Sequence, residues 1–363
     1  MRIAVAMSGG VDSSVAALLL KEEGHEVVGL SMQLWDHSGE PGRSGRCCTL
    51  DDLGDARRAA WSMGIRHYVL NLEDEFRRDV VRPFVGGYLA GETPIPCSAC
   101  NTKVKFATLW ERARAMGCAA VATGHYARSG RDARGRAILR KGLDAAKDQS
   151  YFLYDLSEEQ LEGARFPVGE FTKTDVRAKA RAAGLPNADK EESQEICFVE
   201  PGTRAGEFVA RHAASLGFGA PPEKGRLENA AGAPLGEHAG HFRYTIGQRR
   251  GIGVAATERL YVLEVDAPAN RVVVGPEAAL ENRNAVVGDL RLSAAAPAGA
   301  FRAGVRIRHR AAEAPATVSP SGDGTARVEF DSPVRAVTPG QSCVFYEGDL
   351  VLGGGVIRGR ATA

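Results

Sequence analysis

The stretch RIAVAMSGGVDSS, residues 2–14, decides the fold of this chain. Its apolar start, residues 2–7, predicts a short buried strand. A glycine-rich turn follows, and the apolar residues 15–20 then predict a helix that ends at Gly24. A second strand is predicted over residues 27–32. A strand, a turn, a helix and another strand form a βαβ unit, which favours a parallel sheet.

The same alternation continues along the first half of the chain. Apolar periodicity predicts helices near residues 51–63, 76–89 and 104–116, and strands at 67–70 and 119–123. A proline inside the second of these helices predicts a kink or a break. Ligands of parallel sheets bind at the carboxyl ends of the strands, which is where the glycine-rich turn lies.

The turn Ser8-Gly9-Gly10-Val11-Asp12-Ser13 has the composition of a phosphate-binding loop. Glycines let the backbone approach an anion closely, and the following helix N-terminus offers N–H groups and a partial positive charge. The turn lacks the lysine of the GxxxxGK[ST] pattern. It resembles instead the SGGxDS loop of the PP-loop ATP pyrophosphatases, which cleave ATP between its α and β phosphates. In such a loop, Asp12 would help to hold magnesium pyrophosphate.

The helical pattern fades after about residue 205. Residues 226–275 predict short strands, and the runs after residue 284, separated by Pro and Gly, predict a small barrel. We therefore expect an α/β fold with three domains. These are a parallel-sheet, HUP-like PP-loop catalytic domain, a small mostly-β central domain, and a C-terminal β-barrel, over residues 1–205, 206–282 and 283–363.

The composition is typical of a globular cytoplasmic protein. The 363 residues carry 46 Lys+Arg against 45 Asp+Glu, and 44% are hydrophobic. No apolar stretch approaches the ~20 residues that cross a bilayer, so we expect no membrane partner. The sequence does not indicate an oligomeric state, and a monomer is taken as the default. The seven cysteines are then expected to be thiols. Cys118 and Cys343 lie in apolar runs and are predicted core thiols, and Cys47 and Cys48 are expected to pack.

A second candidate site is Cys97-Ser-Ala-Cys100-Asn101, in a proline-bracketed loop before a predicted helix, together with the distant Cys197. Zinc is disfavoured because a structural site normally needs a second pair of ligands. Nucleophilic sulfur chemistry fits, since a nearby helix N-terminus lowers the pKa of a thiol. An iron–sulfur cluster held by these three cysteines fits as well. The last two interpretations both stay open.

These motifs together resemble the bacterial tRNA-specific 2-thiouridylases over essentially the whole chain. The combination of the phosphate loop with Cys100-Asn101 and Cys197 is the specific part. The matching strings are MSGGVDS (7–13), ATGHYAR (122–128), KDQSYF (147–152), SQEICF (193–198), YTIGQRRG (244–251) and PGQSCVF (339–345).

The resemblance implies ATP-dependent 2-thiolation of the wobble uridine, position 34, of tRNAs for Lys, Glu and Gln. ATP, with Mg²⁺, would adenylate O2 of the uridine, and a persulfide on Cys197 would then displace AMP. Cys100 would be the nucleophile, and the reaction would leave a Cys100–Cys197 disulfide that must be reduced. A cysteine desulfurase or a relay protein would donate the sulfur.

The resemblance also implies that the central domain, residues 206–282, binds tRNA, and it implies two sets of binding residues. Ile95 stands where the family more often has Asn, and Cys97 where some members have Asp, so a 4Fe-4S cluster on Cys97, Cys100 and Cys197 stays an alternative. The implied ATP contacts are Ala6, Met7, Ser8, Gly9, Gly10, Val11, Asp12, Ser13, Met32 and Gly124. The implied contacts to tRNA and its target base are Ile95, Pro96, Cys97, His125, Lys147, Asp148, Gln149, Arg308, His309 and Gln341.

Alternating arginines add a basic surface to this prediction. Arg306, Arg308 and Arg310 are predicted to share one face of a strand. With Arg243, Arg249 and Arg250, they would follow the phosphates of tRNA without reading its sequence.

Two other functions are kept as alternatives. Another PP-loop synthetase would share the phosphate loop, but ammonia chemistry has no use for paired thiols. A non-catalytic nucleotide-binding regulator would explain the loop and leave both cysteine segments without a role.

Overall fold

A parallel sheet forms the centre of the N-terminal domain in this computed structural model, which describes residues 1–35, 50–191, 196–200, 202–254 and 258–360. Cys47 and Cys48 lie outside the described residues. The first seven strands are β1 (Arg2–Ala6), β2 (Glu26–Gln33), β3 (Arg66–Asn71), β4 (Ala120–Ala122), β5 (Ala127–Arg131), β6 (Ala137–Lys141) and β7 (Ala164–Arg165). Five of them pair in parallel in the order β3-β2-β1-β4-β7, which confirms the predicted parallel sheet.

Helices cover both faces of this sheet. On one face α1, α2 and α8 enclose a core around Val15 and Val176, and on the other α3, α4 and α6 enclose a core around Phe76 and Phe84. Among the described residues, no helix is long and apolar enough to cross a membrane. The helices are α1 (Val11–Glu22), α2 (Leu50–Ser62), α3 (Glu73–Phe76), α4 (Arg82–Leu89), α5 (Pro96–Ala99), α6 (Leu109–Ala115), α7 (Glu158–Gly163) and α8 (Lys173–Ala182).

Two of these helices are continued by wider π-helical turns. Arg77–Val81 joins α3 to α4, and Cys100–Thr108 joins α5 to α6. The first lies just before Pro83, which has no N–H to donate, and the helix continues past this proline, so the predicted kink or break takes the form of a wider turn. The predicted loop around Cys97 is wrong, because the helix already begins at Pro96. Proline suits a first helical position, since its φ is fixed near the helical value.

A four-stranded sheet forms the middle domain. Its small core contains Leu227, Val262 and Val272. Its elements are α9 (Ala205–His212), β8 (Gly225–Asn229), β9 (Pro234–His238), β10 (Tyr261–Asp266) and β11 (Arg271–Gly275), with the strands in the order β10-β11-β8-β9. The helix α9 was not predicted. Its residues Phe208 and Val209 are buried in the same hydrophobic core as Phe76 and Phe84 of the N-terminal domain.

Six antiparallel strands close the C-terminal barrel. They lie in the order β12-β15-β14-β13-β16-β17, and β12 also pairs with β17, which confirms the predicted barrel. The strands are β12 (Glu281–Leu292), β13 (Phe301–Arg306), β14 (Ala314–Pro320), β15 (Ala326–Arg335), β16 (Ser342–Glu347) and β17 (Leu350–Gly359). Single turns of 3₁₀ helix occur at Ser150–Phe152, Pro167–Glu170, Ala214–Leu216, His241–Arg243 and Glu277–Leu280.

A hairpin from the N-terminal half extends the sheet of this barrel. Strands β5 and β6 pair with each other, and β6 meets β17 where Arg140 lies opposite Leu350. Arg128 and Arg140 both donate to the carboxylate of Asp349, at 2.7 and 2.6 Å. The hairpin was not predicted from the sequence. It joins the catalytic domain to the barrel through one continuous sheet.

Candidate active site

The turn between β1 and α1 has a backbone shape that requires glycine at its centre. Gly9 has a φ of +79°, and a Cβ there would lie 2.3 Å from the backbone oxygen of Asp52. Ser13 Oγ accepts a hydrogen bond from the N–H of Ser8 at 3.2 Å and donates to the carbonyl of Gly10 at 3.0 Å. The predicted phosphate loop is therefore fixed at the N-terminus of α1, where an anion is stabilised.

The segment after α8 supports this loop from behind. Asn187 is 3% exposed, and its Nδ2 donates to the carbonyl of Gly9 and to Ser14 Oγ, both at 2.9 Å. Lys190 donates to Asp52 of α2 at 2.5 Å. These contacts hold the loop between α2 and the residues that lead towards Cys197.

Asp12, in the first turn of α1, is paired with a cation from α8. Lys173 Nζ donates to its two carboxylate oxygens at 2.7 and 2.9 Å, and Tyr126 OH donates to Oδ1 at 2.9 Å. Gly124, just after β4, lies against the start of α1, because a Cβ there would be 2.6 Å from the backbone nitrogen of Ser13. The structure thus brings Gly124 directly against the phosphate loop.

The end of β2 forms the other flank of the predicted ATP site. Met32 is 7% exposed and lies opposite Leu70 of β3. Ser31 Oγ donates to the carbonyl of Met7 at 2.7 Å, and the N–H of Met7 donates to the carbonyl of Leu30 at 2.8 Å. The ends of β1, β2 and β4 are therefore joined at one edge of the sheet, where ligands of parallel sheets bind.

The three cysteines of the predicted sulfur site differ in exposure. Cys97 is exposed, Cys197 is half-buried, and Cys100 is 8% exposed. Burial raises the pKa of the Cys100 thiol, although the charge of Lys105 lowers it in part. The sequence predicted a lowered pKa from the helix N-terminus. That direction is wrong, because removing the thiolate from water has the larger effect.

Cys100 and Cys197 contact the same apolar core. No disulfide joins the cysteines of the described ranges. Within those ranges, no group of three or more His, Cys, Asp or Glu side chains is arranged to hold a metal ion. The predicted core thiols are confirmed, since Cys118 and Cys343 are 6% and 0% exposed.

The helix that carries Cys100 is joined to the KDQSYF segment. Asn101 Nδ2 donates to the carbonyl of Phe152 at 2.9 Å, and Lys105 Nζ donates to Asn101 Oδ1 at 2.9 Å. The ring of His309, from the barrel domain, lies 4.4 Å from the ring of Phe152. Two motifs of the first half and His309 of the barrel therefore meet beside Cys100.

His125 lies close to the same helix. Its Nδ1 is 2.6 Å from Thr123 Oγ1, and its ring contacts Phe106 and Phe166. Burial holds the pKa of His125 well below its ordinary value, and the charge of Lys105 lowers it further. The ring is therefore neutral at pH 7. Lys105 acts on both His125 and Cys100, so a single cation influences two predicted site residues.

Asp148 joins the catalytic domain to the barrel. Its carboxylate is 2% exposed and accepts from Arg306 at 3.1 Å and from two backbone N–H groups. His309 Nε2 lies 3.1 Å from its carbonyl oxygen. Gln149 Oε1 accepts from the N–H of Tyr126 at 3.0 Å. Three of the residues expected to touch tRNA, Asp148, Gln149 and His309, thus make contacts within the protein.

The segment before Cys97 is held by the other two domains. The carbonyl of Thr93 accepts from Gln341 Nε2 at 2.7 Å, and Thr93 Oγ1 donates to Thr245 Oγ1 at 3.1 Å. Next to these contacts is a cavity of about 230 Å³, lined by Thr245, Ile246, Gly247, Gln248, Arg308, Thr338 and Gln341. Ile95 and Pro96 therefore follow a segment that all three domains fix in place.

Comparisons with known proteins agree with this geometry. The family models for a tRNA methyl transferase HUP domain, a tRNA methyl transferase PRC-barrel domain and an aminomethyltransferase β-barrel domain match residues 1–201, 216–276 and 283–357. A relative from Geotalea uraniireducens (strain Rf4), named tRNA-specific 2-thiouridylase MnmA, is 48% identical over 98% of this chain and 94% of its own. One of the same name from Acidobacterium capsulatum is 48% identical over 98% of both chains. The chain belongs to the tRNA-specific 2-thiouridylase family.

For this member of the thiouridylase family, the prediction that Arg306, Arg308 and Arg310 share one face of a strand is wrong. Strand β13 ends at Arg306, whose guanidinium donates to Asp148 and Glu313. Arg308 donates to Thr338 Oγ1 at 3.1 Å and lines the cavity. Of the three arginines, Arg310 is the exposed one. The alternation of the arginines continues past the end of the strand, and Asp148, one of the two carboxylate partners of Arg306, lies 158 positions away in sequence.

Several residues that build the site of this family member were not predicted. Lys105 follows Asn101 at helical spacing, so the pattern of the Cys-x-x-Cys-Asn helix was a usable signal. Lys173 and Asn187 gave no such signal, and Tyr126 and Arg306, although they belong to patterns noted in the sequence, gave no indication of their partners. Each reaches its partner only through the tertiary fold, because the contacts connect residues 114 to 178 positions apart.

Proposed function

We propose that this protein carries out ATP-dependent 2-thiolation of the wobble uridine, position 34, of tRNA. The observation that carries the proposal is the meeting of the Cys100-Asn101 and KDQSYF motifs with His309 of the barrel, where Asn101 bonds to Phe152 and the ring of Phe152 contacts that of His309. A phosphate loop on the same domain, with Asp12 and Gly124 in contact range, supplies a site for ATP.

ATP activates the uridine in the first step. O2 of the uridine attacks the α-phosphorus, pyrophosphate leaves, and the resulting AMP ester is a better leaving group than the original oxygen. The proposed ATP contacts are residues 6–13, Met32 and Gly124. The carboxylate of Asp12 and the serine hydroxyls are hard oxygen ligands that suit Mg²⁺, and the ion would neutralise phosphate charge there.

Sulfur enters in the second step. The terminal sulfur of a Cys197 persulfide attacks C2, AMP leaves, and a disulfide links the base to Cys197. The Cys100 thiolate then attacks Cys197 Sγ, which releases 2-thiouridine and forms a Cys100–Cys197 disulfide. A dithiol reductant restores both thiols, and a desulfurase or relay protein restores the persulfide.

The tRNA would contact surfaces of all three proposed domains, residues 1–205, 206–282 and 283–363. We expect tRNAs for Lys, Glu and Gln as acceptors and the cytoplasm as the place of reaction. The residues proposed to meet tRNA are Ile95, Pro96, Cys97, His125, Lys147, Asp148, Gln149, Arg308, His309 and Gln341. Residues of this set whose side chains already bond to other protein groups, such as Asp148, would act by determining the shape of the tRNA-binding surface.

A 4Fe-4S cluster on Cys97, Cys100 and Cys197 is the second candidate for the sulfur step. Its support is the presence of Cys at position 97. The described residues offer no assembled set of three ligands, so we derive no step through such a cluster.

One experiment tests both routes. The purified protein is incubated with ATP, Mg²⁺, unmodified tRNA and a persulfide donor, and the digested tRNA is examined for 2-thiouridine by mass spectrometry. Cys97→Ala, Cys100→Ala and Cys197→Ala are run beside it. We expect product from aerobic, metal-free protein, and its loss in the Cys100 and Cys197 variants only. Product that needs anaerobic cluster reconstitution and all three cysteines would favour the cluster, and no product in either condition would contradict the proposed function.

A further inference from the structure

Lys173 is the basic side chain that the phosphate loop itself lacks. Residues 6–13 contain no Lys or Arg, and they include the carboxylate of Asp12. A triphosphate brought to this loop meets a negative side chain, and neutral N–H groups offset that charge only in part. Lys173 Nζ lies 2.7 Å from Asp12, and the lysine side chain is 11% exposed.

The fold positions this lysine firmly. Lys173 is the first residue of α8, which starts with a capping box between Thr172 and Asp175. Its backbone N–H donates to Asp144 Oδ2 at 2.9 Å. The backbone is therefore held at both the helix start and the neighbouring loop. The four-carbon side chain can still turn, because lysine carries a point charge on a flexible stem.

Because of Tyr126, Asp12 keeps a hydrogen-bond donor when the side chain of Lys173 turns away. Its hydroxyl donates to Asp12 Oδ1 at 2.9 Å, and the tyrosine is 2% exposed. Asp12 thus keeps one hydrogen-bond donor, and its carboxylate becomes available to a cation that arrives with the nucleotide.

We propose that Lys173 is a catalytic residue of the ATP site that binds the pyrophosphate portion of ATP and stabilises it as the leaving group. This inference rests on the proposed function in one respect, the cleavage of ATP between its α and β phosphates. The α-phosphorus–oxygen bond breaks, its electron pair passes to pyrophosphate, and the ammonium group balances the new charge without transferring a proton.

The test compares ligands that do and do not carry the β and γ phosphates. Binding of Mg-ATP, pyrophosphate and AMP is measured by calorimetry, without tRNA. We expect Lys173→Met to weaken Mg-ATP and pyrophosphate at least about 10-fold while AMP changes less than about 2-fold, since a charge-assisted contact is lost. Lys173→Arg should recover most of the loss. The control Lys179→Met, on the same helix with Nζ over the ring of Phe171, should bind all three ligands normally.

Two results would overturn the proposal. Unchanged ATP affinity in Lys173→Met would show that Lys173 does not contact the phosphates of ATP. An equal loss of affinity for AMP and ATP would show that Lys173 only supports the structure of the loop. A second measurement avoids dependence on a variant that folds poorly: in the unaltered protein, pyrophosphate but not AMP should protect Lys173 from acetylation by acetic anhydride, read by mass spectrometry. Failure to form 2-thiouridine with intact ATP binding would contradict only the proposed function, whereas a protein that binds no ATP would contradict both.

Discussion

The proposed ATP end of the site and its proposed sulfur end are built in different ways. The phosphate loop is a continuous stretch between β1 and α1, and its shape depends on short contacts such as Ser13 to Gly10. The surroundings of Cys100 are assembled from distant segments, with Phe152 and His309 brought beside Asn101. The first end needs one domain, and the second needs the catalytic domain and the barrel together.

Because the two ends are built differently, ATP affinity and the rate of thiolation should respond to different substitutions. A change that loosens the barrel should leave the phosphate loop intact, because the loop is held by α2 and by the segment after α8. Thiolation should respond to both kinds of change. The ratio of ATP affinity to thiolation rate therefore reports which end a substitution affects.

The largest effect is expected from the cysteines. Cys100→Ser and Cys197→Ser should each lower the rate of 2-thiouridine formation by at least about 1000-fold, since a nucleophile or sulfur carrier is removed. ATP affinity, measured by calorimetry, should stay close to that of the unaltered protein. Cys118→Ala, a change of a core thiol, is the control and should retain thiolation. A parallel loss of ATP binding in Cys197→Ser would show that the two ends are not separate.

The next largest effect is expected from the contact between domains. Arg306→Met leaves the carboxylate of Asp148 buried without its cation, and removing one partner of a buried pair costs about 3–5 kcal/mol. We expect a lower melting temperature and slower thiolation, with unchanged ATP affinity at a temperature where the protein stays folded.

Two further variants isolate this contact. Adding Asp148→Asn to Arg306→Met should restore part of the stability, because the unpaired buried charge is removed. Arg302→Met, on the same strand, breaks an exposed pair with Asp331 and should lower the melting temperature much less than Arg306→Met does, because water screens exposed charges. Equal destabilisation by Arg302→Met and Arg306→Met would contradict the role of Asp148.

The same difference explains what the sequence could predict. The phosphate loop and the parallel sheet follow from local signals, namely glycines at fixed positions and buried strands of continuous apolar residues. Gly135, with a φ of +79° between β5 and β6, marks a turn, yet nothing local tells that this hairpin joins the barrel. Lys173 and Arg306 find their carboxylates only in the folded chain, so a single sequence carries no pattern for them.

The pKa of Cys100 shows the limit of a local argument in physical terms. A helix N-terminus favours a thiolate, and the sequence correctly places Cys100 near one. How deeply a helix packs is decided by the residues that cover it, and Cys100 is part of the apolar core. Burial therefore determines the direction of the shift.

A smaller effect is expected from pH and from Lys105. Because burial raises the pKa of Cys100, the thiolate fraction at neutral pH is small and should grow about tenfold per pH unit. The sulfur-transfer step, followed by rapid quench with preformed persulfide, should accelerate from pH 7 to pH 9. Lys105→Met removes a charge that favours the thiolate and should slow this step by about 3- to 10-fold at pH 7.5. Lys105→Arg keeps the charge and is the control, and a pH-independent rate would contradict a thiolate at Cys100.

The smallest effect concerns stability rather than activity, and it follows from His125. Its folded-state pKa is held well below 6.5 by burial, while the unfolded chain takes up the proton near that pH. The contribution of the neutral His125 ring to the free energy of unfolding is thus complete above pH 6.5. It falls as the pH drops below that value, by about 1.4 kcal/mol at one pH unit lower.

In His125→Gln this part of the acid dependence should disappear, so the melting temperature of the variant should fall less between pH 7.5 and 5.5. His67 and His238, whose pKa values burial also lowers, remain in both proteins, and their contribution cancels in the comparison. Identical acid dependence in the two proteins would mean that His125 takes up a proton in the folded state. That result would contradict the conclusion that its ring is neutral in the folded protein.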